Sequence, residues 1–306
     1  MISYSFDGFV KCVLGKHGRQ RQPVENRPGS KMKNGVAELI SDRMDAMPVS
    51  ERRAAQALIA SYPVIGLKTV AEFSQAAGVS SPTILRFVGR LGFQNYSEFQ
   101  SALQDELAAQ LQSPLNRTEH PTATTPGKST PLVSAVIDNI HETFRHLSGK
   151  QITQLAGLLA DRKSKAFLIG GRFTDPIARY LAAHLTIIRP NVFHLTGQES
   201  NWRDRLIDMG QRDVLLIFDI RRYQESLIRF AEKAHERGVR IVLFTDQWLS
   251  PIARFARHVI AGRTAVPSAW DSSAALFVVA ETLIGELTLQ LETDSARRIR
   301  EMERLR

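Results

Sequence analysis

Two short stretches hold residues whose chemistry needs explaining. "FDIRRYQE", from Phe218 to Glu225, places Asp219, Arg221, Arg222 and Gln224 between an apolar run, "VLLI", and an amphipathic one, "SLIRFAEKAHERG". A carboxylate beside two guanidiniums either pairs internally or binds an anion in the planar, bidentate way that arginine favours. The junction of a strand and a helix is also where ligands sit in an open α/β sheet. The second stretch, "SSPTILRFVGR" (80–90), sets Ser80, Ser81, Thr83, Arg86 and Arg90 opposite the apolar Ile84, Phe87 or Val88, and Leu91. Short hydroxyls near a helix N-terminus reach base edges, and cations reach phosphates or guanine.

Proton-transfer chemistry has weaker support. His184, His194, Glu199 and Glu225 are the candidate bases, and none stands in a motif. The sequence holds no nucleophile elbow, Walker loop or metal-ligand spacing, so neither a metal nor a cofactor is expected.

Composition narrows the classes. The chain has 306 residues, which suits two modest domains, and 43% are hydrophobic. A formal net charge of +9 favours a polyanionic partner. The one cysteine, Cys12, rules out a disulfide within the chain and fits a reducing cytoplasm. No apolar run reaches the ~18–20 residues that span a bilayer. Seven cations in the first segment, from Lys11 to Lys33, face only Asp7 and Glu25. That segment, 1–33, reads as a disordered basic arm or as an arm on DNA phosphates; Met32 is an alternative translation start.

The surrounding patterns show what must position these groups. Residues 34–111 read as helical throughout. Ser50, Thr69 and Ser81 stand as N-caps, Pro82 at a first helical position, and Gly78 and Gly92 as stops. Residues 112–132, rich in Pro, Thr and Ser, read as a flexible linker. Residues 133–292 then alternate strands ("KAFLIGG", "NVFHLT", "DVLLIF", "VRIVLFTD", "HVIAGR") with helices, among them "DPIARYLAAHLTIIRP" and "SPIARFARH". Such alternation makes a three-layer α/β domain with a parallel sheet. Asp271 or Ser272 reads as the N-cap of a long apolar helix. Thr245, at a strand end, is a further weak ligand candidate. Residues 293–306 read as a charged, solvated helical tail. The fold class is therefore multi-domain: an all-α helix-turn-helix domain followed by an α/β domain.

"VAEFSQAAGVSSPTILRFVGRLGFQNYSEFQ" resembles the DNA-binding domain of RpiR-type bacterial transcription regulators. The Val79-Ser80 turn, Ser80 to Thr83, Arg86-Phe87, Leu91-Gly92-Phe93 and Tyr96 to Phe99 carry the resemblance. It implies a wingless reader of operator DNA acting as a dimer or larger homo-oligomer, with a sugar isomerase (SIS) domain behind it. That domain binds phosphosugars through two loops. In the first, "GGRFT", Gly170 is kept, Arg172 stands at the second glycine and Thr174 at the serine. In the second, Asp219 and Arg221 stand at the serines, Arg222 at the glycine and Gln224 at the threonine. Small hydroxyls and glycine let backbone approach a phosphate closely, and these residues do not. Either Asp219 pairs with Arg172, Arg221 or Arg222 and closes a vestigial pocket, or Arg172, Arg221 and Thr174 contact a different small anion while Asp219 holds an arginine. A sugar-phosphate isomerase and a DNA-binding dimer without effector are the alternatives. The resemblance implies no membrane partner. It also allows the loop of Ser268, Asp271 and Ser272 to close over a ligand.

Overall fold

The structure is a computed structural model and describes residues 35–111 and 130–305. The expected basic arm, 1–33, and the linker positions 112–129 lie outside the described residues.

The first part contains helices α1 (Val36–Arg43), α2 (Val49–Ala60), α3 (Val70–Ala77), α4 (Ser81–Arg90) and α5 (Tyr96–Leu111). Thr69 opens α3 with a capping box: the Glu72 amide donates to Thr69 Oγ1 at 3.2 Å, and the Thr69 amide donates to Glu72 Oε2 at 3.0 Å. Gly78 ends α3 at φ +60°, a conformation that glycine adopts without a Cβ clash. The cap of α4 is Ser80 rather than Ser81, and Pro82 falls in its first turn. Ser50 is not a cap, because α2 begins one residue earlier, behind Pro48. Ile40, Leu58, Phe73, Ile84, Phe87 and Phe99 form the fully buried centre.

The second part contains α6 (Thr130–His146), α7 (Gly149–Ala160), β1 (Ala166–Gly170), α8 (Asp175–Ile188), β2 (Val192–His194), α9 (Glu199–Asp204), β3 (Val214–Phe218), α10 (Glu225–Glu236), β4 (Arg240–Asp246), β5 (His258–Gly262), α11 (Ala274–Gln290) and α12 (Glu292–Arg304). The strands form a parallel sheet in the order β2-β1-β3-β4-β5. Helices cover both faces, so central strands are apolar at every position, and all of Val214–Phe218 is buried. Leu168, Leu216 and Phe244 face the side of α7, α8 and α11; Phe167, Leu215 and Leu243 face the side of α10. The order reverses between β1 and β3, which opens a crevice at their C-terminal ends.

Two local expectations fail, and one element was not anticipated. "SPIARFARH" makes only a 3-10 turn, Pro251–Arg254, because β5 starts at His258. The short α9 fills a stretch that carries no clear period. Helix α12 is docked rather than solvated: Ser295 is buried, Arg162 pairs with Asp294, and Arg298 donates to the carbonyls of Thr186 and Ile187. Among the described residues, no single helix is long and apolar enough to cross a membrane.

The two parts share contacts. Ala37 belongs to the core on the α10 face, and Ile59 and Tyr62 pack against it. Arg263, after β5, pairs with buried Glu38; His146, ending α6, pairs with Asp42.

Candidate functional site

On α4, Ser80, Pro82, Leu85, Arg86, Gly89 and Arg90 are exposed and Ser81 is half-buried. Thr83 is buried. Its hydroxyl bonds Ser80 Oγ at 2.9 Å and accepts from the Arg86 guanidinium at 3.1 Å. It therefore steadies the N-terminal turn and Arg86 rather than presenting itself to a partner. Arg90 is tied through Nε to Glu51, which is 3% exposed. That pairing holds α4 to α2 and raises the pKa of Arg90 through the hydrogen bond and the charge of Glu51. The polar face not tied to another helix thus reduces to Ser80 and Arg86, with half-buried Ser81 bonded to Ser74 of α3.

At the strand ends, Gly170 lets α8 start directly beneath the loop. A Cβ there would stand 2.5 Å from the Asp175 Cα. Thr174 is 1% exposed; its hydroxyl donates to the Phe218 carbonyl at 2.6 Å and accepts from the Gly171 amide at 2.9 Å. It staples the first loop to β3, so no hydroxyl proton is left for a ligand. Arg172 is exposed, lies over the Phe173 ring at 5.2 Å, and has no ion-pair partner among the described residues. It lines a cleft of about 200 Å³ with Gly170, Gly171, Thr196, Gly197 and Gln224. His194 bonds Asp175 at 2.9 Å, and Asp175 lines the same cleft. Of the other candidate bases, His184 rests on the Tyr180 ring, while Glu199 and Glu225 pair with Arg229.

The second loop is folded inward. Arg221 forms a two-pronged pair with Asp271 and stacks on Trp248 at 4.5 Å. Its amide donates to Asp246 Oδ2 at 2.5 Å, and the Tyr223 hydroxyl donates to Asp246 Oδ1 at 2.7 Å. Asp219 pairs with no arginine among the described residues: it accepts from Ser250 Oγ at 2.6 Å and from the Gln224 amide at 3.3 Å. Burial pushes its carboxyl up to about 7, and the charge of Asp246 adds to the effect. Burial likewise raises Asp246 to about 6. Arg222 is exposed at φ +63°, so the loop keeps a left-handed bend at the position where the resemblance places glycine. The Gln224 side-chain amide donates to Ser226 Oγ at 2.7 Å. Asp271 is not the cap of α11, which starts after Ser273; the Ser272 hydroxyl accepts from the Ala274 amide at 3.3 Å. Thr245 is buried and accepts from the Ser250 amide at 3.0 Å.

Neither sequence-level alternative describes this arrangement. Arg221 is locked, but by Asp271; Asp219 is satisfied by a hydroxyl and an amide; of the expected effector residues, Gly170, Arg172 and Gln224 line the cleft. Trp248, Thr196 and Trp202 carried no signal in the sequence, and Ser250 reads there as the cap it is, with nothing to mark it as the partner of Asp219.

A helix-turn-helix unit with a polar helix face, joined to an α/β domain with an open strand-end cleft, is the build of a two-domain transcription regulator. Residues 34–110 match the helix-turn-helix domain of the rpiR family, and residues 158–285 match the SIS domain. An HTH-type transcriptional regulator of Haemophilus influenzae is 24% identical over 269 residues, covering 85% of this chain and 92% of the relative. The sugar isomerase domain of an RpiR transcription factor from Sphaerobacter thermophilus superposes with a TM-score of 0.54 at 23% identity, covering 58% of this chain and 99% of that one. The NanR protein of Vibrio vulnificus, complexed with ManNAc-6P, superposes with a TM-score of 0.51 at 15% identity, covering 89% and 97%. The chain belongs to the RpiR-type transcriptional regulators.

Proposed function

We propose that this regulator senses a small anionic metabolite, a phosphosugar or an organic acid, in the strand-end cleft and adjusts its hold on operator DNA accordingly. Arg172 carries the reading: an exposed cation without an ion-pair partner among the described residues, at the rim of the cleft beside the N-terminus of α8. Gln224 and the backbone at Gly171 and Gly197 complete the wall. The NanR relative, described with ManNAc-6P, supports an anionic ligand for this kind of domain. Ser80, Ser81 and Arg86 form the DNA-reading face, and the protein acts in the cytoplasm as a homodimer or larger homo-oligomer. Exposed Val133 and Ile137 on α6 and Leu289 on α11 support self-association. The domain works as a sensor and not as an enzyme. The Asp175–His194 pair beside the cleft is the one observation that favours an isomerase, and sugar-phosphate turnover by the purified protein would establish it.

Signal transfer runs through direct contacts between the parts. The effector loop bonds Asp246 through Arg221 and Tyr223, and Leu249, three residues after Asp246, belongs to the core that Ile59 and Tyr62 of the reader pack against. A ligand that draws this loop outward changes the seat of α2. A thermal-shift screen of phosphosugars and organic acids tests the reading. The expected result is a ligand that stabilises the protein, changes DNA affinity and loses its effect in Arg172→Ala. A full response in Arg172→Ala overturns the site.

A further inference from the structure

A second cavity lies away from the strand-end cleft, between the DNA-reading part and the sensor. Its volume is about 150 Å³. Ala37, Glu38 and Ile59 supply the wall on the reader side; His146, Leu249 and the β5 residues Val259 to Ala261 supply much of the rest. The lining is mainly apolar, as ligand pockets at domain interfaces are. A volume of this size accepts a single ring of about six to ten non-hydrogen atoms.

Three observations mark it as more than a packing gap. Leu249 sits on its wall at φ +58°, a backbone strain that leucine rarely carries and that gathers at ligand clamps. His146 is held on Asp42 through Nδ1, while its Nε2 is buried without a hydrogen-bond partner among the described residues. A wall side chain therefore retains unspent hydrogen-bonding capacity. Glu38, also on the wall, is 6% exposed, and its carboxylate is a natural acceptor for a hydroxyl. The acidic groups Glu38 and Asp42 disfavour an anion here, and Arg263 is already engaged by Glu38.

We infer that this cavity is a second regulatory site, for a small uncharged ring-shaped molecule bearing a hydroxyl. Its occupant touches both parts at once and so biases how the reader is seated, independently of the anion cleft. Phenol is the probe. Calorimetric titration of the full-length protein should show saturable binding in the millimolar range. Ala37→Leu and Ala261→Leu, which fill the cavity from opposite sides, should each weaken it at least tenfold, with melting temperature checked to confirm folding. Arg172→Ala should leave it unchanged. A crystal soaked in phenol should show the ring against Leu249. Absence of saturable binding, equal binding by a folded filling variant, or loss of binding in Arg172→Ala overturns the proposal. The anion reading is tested by a different ligand class at a different residue, so the two stand or fall separately.

Discussion

Removing Arg221 separates a ligand contact from a structural lock. Its side chain is 4% exposed and that of Asp271 is 18% exposed. Breaking a buried ion pair costs about 3–5 kcal/mol, and the partial exposure of Asp271 lets water recover some of that. The stacking on Trp248 contributes roughly 0.5–2 kcal/mol more. Arg221→Ala should therefore destabilise by about 3 kcal/mol and lower the melting temperature by roughly 6–10 °C. Arg221→Lys should recover less than half of this, because an ammonium cannot engage both carboxylate oxygens in the fork. A double-mutant cycle with Asp271→Ala, read by urea unfolding, should give a coupling of about 2 kcal/mol. A variant with unchanged unfolding and no coupling, but a lost effector response, would refute the lock and place Arg221 on the ligand.

Other changes separate roles that look alike in the sequence. Arg86→Ala should weaken DNA binding by about 1–3 kcal/mol in a fluorescence-anisotropy titration while leaving the melting temperature in place. Arg90→Ala should lower the melting temperature too, because it strips buried Glu51 of its partner. Asp219→Asn tests the buried carboxyl. Its folded pKa of about 7 lies above the ordinary aspartate value of 3.8, so between roughly pH 4 and 7 the folded protein holds a proton that the unfolded chain has released, and stability falls as pH rises through that window. The amide should flatten part of this slope and add about 1–3 kcal/mol at pH 8, measured by urea unfolding at several pH values. Gly170→Ala should cost about 3 kcal/mol or prevent folding, since the new methyl meets the α8 backbone. Gly89→Ala, with open space around it, should stabilise by about 0.5–1 kcal/mol in thermal melts.

The sequence discloses periodicity well and partnership poorly. Val214–Phe218 is apolar at every position, which is the signature of a strand covered on both faces, and Thr69 and Gly78 mark the ends of α3 by local chemistry alone. The cap of α4 falls one residue early because Ser80 and Ser81 offer the same hydroxyl and only backbone geometry chooses between them. The site pairs were invisible for another reason. Arg90 meets Glu51 across 39 residues, Asp219 meets Ser250 across 31 and Arg221 meets Asp271 across 50, and no local pattern encodes such distances. Each of these arginines reads as available for an anion until its partner is seen. The charge of "FDIRRYQE" is mostly spent on holding its own loop, and Arg172, from the quieter first loop, is left facing the cleft.

The shared core bears on how such a regulator can be rearranged. Ala37, Ile59 and Tyr62 belong to the reader by sequence, yet they rest on the apolar face of the sensor, and Glu38 depends on Arg263 for its counter-charge. Cutting the chain in the segment 112–129 would bare that apolar seam on one fragment and strand a buried acid on the other. Grafting this reader onto the sensor of a relative meets the same obstacle, unless the seam is transplanted with it. The gene can be divided between two domains at that point; the folding unit cannot.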